Sequence, residues 1–73
     1  MNLVLDIGNT RLKAGLFGPE GLAEQAFWTA WTLGELSGFA REKQVERVIL
    51  SSVAAPDAAL TAFFAQNFTF IEL

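Results

Sequence analysis

The sequence contains no cysteine and no histidine, and each absence excludes a class of site. Structural zinc is held mainly by cysteine and histidine, so a zinc centre is nearly excluded. Without cysteine the chain forms no disulfide bond, which is the usual condition of a cytosolic protein. Without histidine it lacks the commonest general base, so a serine nucleophile activated by histidine is not available within this chain.

Long apolar runs and an excess of positive charge are missing as well. No segment reaches the roughly 18 uninterrupted apolar residues of a membrane span. No basic flank precedes the first apolar run, so a secretory signal is not indicated. Five basic residues against eight acidic residues give a net charge of −3, whereas nucleic-acid binding requires a basic patch. We therefore expect a cytoplasmic protein without membrane or nucleic-acid partners.

The chain is rich in hydrophobic residues. It has 73 residues, 52% of them hydrophobic, with seven phenylalanines and two tryptophans. That content argues against disorder and is enough for the core of one small domain. Apolar runs separated by turn signals predict an α/β fold. The expected strands are residues 2–7, 11–17, 22–29, 46–51 and 68–73, and the expected helices are residues 33–43 and 56–66.

Both expected helices have recognisable start signals. Thr32 and Glu35 form the Thr-x-x-Glu pattern of a capping box. In this motif each of the two side chains accepts a hydrogen bond from the backbone N–H of the other residue. Pro56 and Asp57 fit the first turn of the second helix, because proline is preset for that position and a carboxylate favours the positive helix end.

The order of elements predicts one mixed sheet. Three antiparallel strands come first, and the last two strands are joined by helical crossovers that call for parallel pairing. A five-stranded sheet of order 3-2-1-4-5 satisfies these connections. Apolar residues at alternate and intervening positions of residues 2–7 predict a central strand that is buried on both faces. No helix follows the fifth strand, so we expect an uncovered sheet surface and self-association or a partner.

The polar segment after the first strand is the best candidate for chemistry. We expect a tight turn in which Gly8 adopts positive φ and Asn9 tolerates the same region. Backbone N–H groups in such a turn bind anions, and Asn9, Thr10 and Lys13 add further donors. Asp6 would repel a phosphate unless a cation lay between them, which implies Mg²⁺.

A purely structural explanation of the same segment also exists. Aspartate near glycine and asparagine is ordinary turn chemistry, in which the Asp6 carboxylate accepts hydrogen bonds from nearby backbone N–H groups. Spacing alone does not separate this explanation from phosphate binding.

The opening residues 1–17 closely resemble the start of type III pantothenate kinases, members of the group of sugar kinases, actin and Hsp70-like ATPases. The first phosphate motif of that family, Asp-x-Gly-Asn-Thr-x-x-Lys, is matched at Asp6, Gly8, Asn9, Thr10 and Lys13. The run of residues 51–53, Ser-Ser-Val after an apolar strand, is also similar. The resemblance follows the order of elements along the whole chain, but its specific part is residues 1–17.

The resemblance implies a fold and a site. The fold would be a partial ribonuclease H-like (actin-like ATPase) lobe, with residues 1–73 forming a single incomplete N-terminal lobe. The family starts with three antiparallel strands, and the resemblance therefore supports the strand at residues 22–29, where the sequence signal is weaker because Ala-Glu-Gln-Ala favours helix. Asp6 would position Mg²⁺ directly or through water, and Thr10 and Lys13 would face the phosphates, while Arg11 is expected to face solvent. The implied ATP-binding residues are Asp6, Ile7, Gly8, Asn9, Thr10, Arg11, Leu12 and Lys13.

The resemblance also implies the parent reaction, which is ATP-dependent phosphorylation of pantothenate at the start of coenzyme A synthesis. The parent would be a cytoplasmic homodimer that needs Mg²⁺ and a monovalent cation, K⁺ or NH₄⁺. Its catalytic aspartate and pantothenate pocket would lie beyond residue 73, so no catalytic residue is expected here and the chain alone is expected to be inactive. The alternatives are a regulatory protein resembling the Bvg accessory factor and a structural fragment with no ligand.

Two further groups of residues have a structural explanation that we prefer. Phe27, Trp28 and Trp31 could stack on a ring, but such clusters more often belong to the core. Ser51 and Ser52 follow a strand, where α/β proteins place ligands. We interpret them as a polar strand end that faces the cleft.

Overall fold

The structure, a computed structural model, describes residues 1–53 and 58–73. Within these residues the chain forms five strands and two helices, in the order predicted from the sequence. The bounds agree with the expected ones to within two residues wherever both ends are described. The strands are β1 Asn2–Ile7, β2 Leu12–Gly18, β3 Gly21–Trp28, β4 Arg47–Ser52 and β5 Thr69–Glu72, and the helices are α1 Leu33–Glu42 and α2 Ala58–Asn67.

All five strands belong to one mixed sheet of order β3-β2-β1-β4-β5, which confirms the predicted order. β1 pairs antiparallel with β2 and parallel with β4, and β4 pairs parallel with β5. The chain is therefore a small mixed α/β domain. Because β1 and β4 run in the same direction, their carboxyl ends lie side by side at one edge of the sheet.

The core lies on one face of the sheet, between the strands and both helices. Strand residues alternate between faces, so one set of alternate positions on β1, β2 and β4 packs against α1 and α2. The fully buried side chains of this core are Leu3, Leu5, Leu12, Leu16, Leu36, Val48, Leu50, Leu60 and Phe64. These apolar side chains hold the domain together through the area that they remove from water.

The expectation that β1 is buried on both faces is wrong. Leu3 and Leu5 are buried, but Val4 is only half-buried and Asp6 is exposed. The physical reason is that both helices pack on the same side of the sheet, so no helix of the described residues covers the other. We call the uncovered side, which carries Val4 and Asp6 of β1, the open face.

Helix α1 begins at the predicted N-cap, Thr32, and makes one of the two hydrogen bonds of a capping box, while the Glu35 carboxylate accepts from the Thr32 hydroxyl. The Glu35 backbone N–H donates to the Thr32 hydroxyl at 3.1 Å, and the hydroxyl donates to the Glu35 carboxylate at 3.4 Å. At the other end Gln44 has φ +56°, and the Val45 N–H donates to the Ala40 carbonyl at 3.0 Å. These features form the left-handed closing turn that commonly ends a helix.

Lys43, the last residue of that helix end, joins α1 to the edge strand β3. Its ammonium lies 3.0 Å from the Glu24 carboxylate. The hydrogen bond with Glu24 raises the pKa of Lys43 above its ordinary range. This contact is partly exposed to water, so it orients the two elements more than it stabilises them.

Replacing Gly38 with alanine is expected to stabilise the domain by about 1 kcal/mol, because glycine is unfavourable inside a helix. A Cβ built at Gly38 meets no atom within 4 Å, so the packing of the helix on the sheet does not require a glycine at this position. Urea unfolding followed by circular dichroism measures the gain, with Ser37→Ala on the same helix as the control. A loss of stability at position 38 would show that the space above this glycine is occupied.

Helix α2 is confirmed from Ala58 onward, and its predicted start at Pro56 and Asp57 lies outside the described residues. It ends at Asn67, whose side-chain amide donates to the Phe63 carbonyl at 2.8 Å. Phe64 is fully buried, while Phe63 is partly buried against the core. Neither this helix nor any other in residues 1–53 and 58–73 has the length and apolar character needed to cross a membrane.

The predicted aromatic cluster is divided by the sheet. Trp28 and Trp31 pack against the core as expected, and the Trp28 and Phe39 rings meet edge to face with centroids 5.3 Å apart. Phe27 is 53% exposed and does not belong to the core. Neighbouring residues of a strand point to opposite faces, so Phe27 lies on the open face when Trp28 lies in the core.

Candidate functional site

The segment from Asp6 to Lys13 spans the end of β1, the turn and the start of β2. Asp6 pairs with Lys13 across the two strands, and Ile7 pairs with Leu12. Leu12 is fully buried and Ile7 packs against the core, whereas Asp6 and Lys13 are exposed. Ile7 and Leu12 thus anchor the turn to the core, while Asp6 and Lys13 place their charges on the open face.

The turn itself is made without left-handed backbone at Gly8 or Asn9. The Gly8 N–H donates to the Arg11 carbonyl at 2.9 Å, which closes a loop over Asn9 and Thr10. Among the described residues only Gln44 and Gly21 have positive φ. The expectation that Gly8 and Asn9 use positive φ is therefore wrong, because the loop closes with ordinary backbone angles.

Gly8 is also not required for packing. A Cβ built at Gly8 would lie 3.4 Å from the Arg11 carbonyl oxygen, which is an ordinary van der Waals contact. Gly21, in the β2–β3 turn, differs because its φ of +108° suits only glycine. Within this chain the fold needs Gly21 and has no evident need of Gly8.

The polar groups of the turn are free of partners within residues 1–53 and 58–73. The side chains of Asp6, Asn9, Thr10 and Lys13 make no hydrogen bond or ion pair there. The backbone N–H groups of Asn9, Thr10 and Arg11 likewise have no backbone acceptor in this part of the chain. Several donors and one carboxylate are thus available to a ligand.

The end of β4 lies beside this turn. Asp6 pairs in register with Ser51, and Ile7 pairs with Ser52. The Val53 N–H donates to the Ile7 carbonyl at 3.1 Å and extends the pairing beyond the strand. Ser51 is therefore a neighbour of Asp6 on the open face, which is the polar strand end predicted from the sequence. The set of predicted site residues omitted Ser51, and the serine pair after an apolar strand was the signal for it.

Arg11 is exposed, as expected, and it contacts an aromatic ring. Its guanidinium carbon lies 5.6 Å from the centroid of the Phe27 ring, a distance at which a cation is attracted to the ring face. This contact keeps a second positive charge close to the turn. Arg11 and Lys13 together make the neighbourhood of the turn locally basic in an acidic chain.

A shallow pocket of about 250 Å³ adjoins the site on the open face. Asp6 and Lys13 line one end, and Val4, Phe17 and Leu22 provide apolar walls. The Phe17 ring lies over Gly15, where an added Cβ would come within 3.2 Å of it. The pocket is thus charged where Asp6 and Lys13 line it and mostly apolar elsewhere, with Gln25 as a further polar residue.

The residues present fit one kind of metal site only. No group of three or more acidic, histidine or cysteine residues that could hold a metal occurs in the described part of the chain. A metal held by protein ligands alone does not fit. Mg²⁺ commonly uses one or two carboxylates and completes its shell with water and phosphate oxygens. The Asp6 carboxylate, which is exposed and has no partner within residues 1–53 and 58–73, fits that role.

Comparison with known proteins does not identify a family. A scan of protein-family models finds no match to this chain, and a search of curated proteins finds no significant match either.

Proposed function

We propose that this chain is the N-terminal part of an ATP-dependent type III pantothenate kinase and that its β1–β2 turn binds the phosphates of Mg-ATP. The proposal rests on the resemblance of residues 1–17 and on the chemistry of the turn. The sheet order β3-β2-β1-β4-β5 is the order expected for an actin-like ATPase lobe, and the proposal assigns the domain to that fold.

One observation favours the proposal over the purely structural explanation of Asp6. That explanation requires the Asp6 carboxylate to accept hydrogen bonds from the backbone of its own turn. Within residues 1–53 and 58–73 Asp6 makes no side-chain hydrogen bond or ion pair. Within the described residues Asp6 thus does not take part in the hydrogen bonding of the turn, and its carboxylate is available to a ligand.

The roles of the residues follow from their positions. Asp6 holds Mg²⁺, directly or through water, and the ion neutralises the repulsion between the carboxylate and the phosphates. Lys13, its neighbour on β2, provides a mobile positive charge. Asn9, Thr10 and the free N–H groups of the turn donate to phosphate oxygens. Ile7 and Leu12 hold the turn to the core.

Other parts of the proposed enzyme lie outside this chain. Pantothenate, the catalytic base and the adenine contacts belong to the remainder of the enzyme, and the monovalent cation, K⁺ or NH₄⁺, has no ligands assigned here. The proposal places the parent in the cytoplasm as a homodimer. Alone, the chain binds Mg-ATP weakly, because one turn supplies few of the contacts that a nucleotide needs.

The proposal predicts saturable, Mg²⁺-dependent ATP binding that is lost when Asp6 and Lys13 are both replaced by alanine. Isothermal titration calorimetry measures it on the 73-residue chain, with an expected loss of affinity of about tenfold or more, since a bound charge pair is removed. The matched control is the pair Glu42→Ala and Arg47→Ala, which removes one acid and one base away from the turn. Circular dichroism confirms that each variant is folded.

Two results would contradict the proposal. If ATP bound equally well without Mg²⁺, the assignment of Asp6 would be wrong. If millimolar Mg-ATP gave no heat with a folded chain, the turn would not be an autonomous phosphate site, and a structural fragment would describe this chain better.

A further inference from the structure

An exposed aromatic ring lies beside the charged residues of the turn. Phe27 is 53% exposed and pairs in register with Lys13, which itself pairs with Asp6. Because residues that pair across neighbouring strands share a face of the sheet, the three side chains form one row on the open face. A phenylalanine in this position forgoes much of the burial that normally stabilises its side chain.

The Phe27 ring differs from the other rings that meet a cation. The described part of the chain contains three contacts of this kind. In two of them the ring belongs to Phe39 or Phe63, and both of these side chains pack against the core. Phe27 does not belong to the core, so its ring meets the Arg11 guanidinium without having a packing role there. Strand propensity accounts for an aromatic residue at this position, but it does not account for that contact.

The geometry of the β2–β3 pair explains how Arg11 reaches the ring. Arg11 precedes Lys13 by two residues, and Lys13 lies directly opposite Phe27 in an antiparallel pair. Arg11 is therefore a diagonal neighbour of Phe27, at a separation that long side chains span. Its guanidinium carbon lies 5.6 Å from the ring centroid. The side chain thus extends over the open face toward β3, on the same side of the sheet as Lys13.

We propose that Phe27 is a positioning residue, which holds the Arg11 guanidinium on the open face as a second phosphate-binding cation beside Lys13. This inference rests on the proposed function, because the phosphates are those that the β1–β2 turn binds. An arginine that stacks on a ring still has its N–H donors in the guanidinium plane, and these donors bind phosphate oxygens in pairs. Phe27 therefore restrains the cation without occupying the groups that meet the ligand.

The restraint raises affinity by ordering Arg11 before the ligand arrives. A long side chain that is free in solution loses rotamer freedom when it binds, and this loss weakens binding. The attraction between an exposed cation and a ring corresponds to about a two- to fivefold change in an equilibrium constant, which sets the size of the expected effect. The fold does not use the charge of Arg11 elsewhere, since Arg11 forms no ion pair within residues 1–53 and 58–73.

Calorimetric titration of the 73-residue chain with Mg-ATP tests the inference. Arg11→Ala should weaken binding about tenfold, because a charge-assisted contact with phosphate is lost. Phe27→Ile retains strand propensity but removes the ring, and it should weaken binding about two- to fivefold. Phe27→Tyr retains the ring and should bind as the native chain does. The double variant Arg11→Ala, Phe27→Ile should bind like Arg11→Ala alone, because Phe27 acts only through Arg11.

A matched control and a second readout accompany the titration. Arg41→Ala removes an arginine whose guanidinium carbon lies 5.7 Å from the centroid of the Phe63 ring, away from the turn, and it should leave the affinity for Mg-ATP unchanged. Circular dichroism confirms that each variant is folded. Nuclear magnetic resonance observes the Arg11 Nε–H proton directly. The ring should shift its signal in the native chain and in Phe27→Tyr, and the shift should disappear in Phe27→Ile.

The outcomes separate this inference from the proposed nucleotide site. If Arg11→Ala binds Mg-ATP as tightly as the native chain, the inference is overturned and the nucleotide site stands. An equal loss from Phe27→Ile with and without Arg11 also overturns it, because the ring would then contact the ligand itself.

A chain that binds no Mg-ATP is titrated with inorganic tripolyphosphate while the Arg11 signal is observed. A change in that signal that requires Phe27 supports the inference and contradicts only the nucleotide site. No change in the signal overturns both.

Discussion

Replacing Phe64 with alanine is expected to remove about 3–5 kcal/mol from the free energy of unfolding. Phe64 is fully buried, with a solvent exposure of 0%. Its ring lies 5.2 Å from that of Phe63 and 5.5 Å from that of Phe68. With Leu60 it attaches α2 to the sheet, so its truncation leaves a cavity where the helix and the strands meet.

That loss is large for a chain of this size. Domains have about 0.05–0.15 kcal/mol of stability per residue, which is about 4–11 kcal/mol for 73 residues. We therefore expect Phe64→Ala to lose about a quarter or more of the stability of the domain. Urea titration followed by tryptophan fluorescence and circular dichroism measures the change. Phe64→Leu, which retains most of the volume, should lose under about 1.5 kcal/mol. A loss below 1 kcal/mol for the alanine variant would mean that α2 is held by other contacts.

Replacing Gly21 with alanine is expected to cost about 1–3 kcal/mol, because its φ of +108° is strained for any residue with a Cβ. The space around it is open, since a built Cβ meets nothing within 4 Å. The cost is therefore backbone strain and not a clash. It weakens the β2–β3 turn, where Gly18 and Gly21 pair across a two-residue loop.

Gly8→Ala is the matched variant in the other hairpin, and it is expected to change stability by less than about 1 kcal/mol. Urea unfolding of both variants measures the contrast. If Gly8 serves the phosphate, its alanine variant should keep the fold and lose Mg-ATP affinity in the calorimetric titration. Equal destabilisation at the two positions would show that the fold requires glycine at position 8. That result would contradict the assignment of Gly8 to phosphate binding.

The order of elements could be predicted because most of them left a local signal, whereas β3 was expected from the hairpin-like loop before it and from the resemblance to the kinase family. Alternating apolar residues marked most of the strands, and the Thr32 to Glu35 pattern marked the start of α1, where the Thr32 hydroxyl accepts a hydrogen bond from the Glu35 backbone N–H. Strand order then followed from connection rules, since hairpins join neighbours and helical crossovers join parallel strands. None of these inferences needed knowledge of how distant residues pack.

The site was only partly predictable for the same reason. The motif from Asp6 to Lys13 is a local pattern, so its residues could be named from the sequence. The position of Ser51 beside Asp6 depends on the parallel pairing of β1 with β4, which joins residues 45 apart in the chain. The backbone angles at Gly8 were predicted wrongly, because a glycine-asparagine pair is compatible with more than one kind of turn.

The sequence by itself determined the elements, their order in the sheet and the residues of the turn, because these depend on short-range propensities and connection rules. Only the tertiary structure decided which surfaces are buried. Val4, Ile49 and Phe27 have the same apolar character as core residues, yet they lie on the open face. The reason is that burial depends on where the helices pack, and both helices pack on the side of Leu3, Leu5 and Leu50.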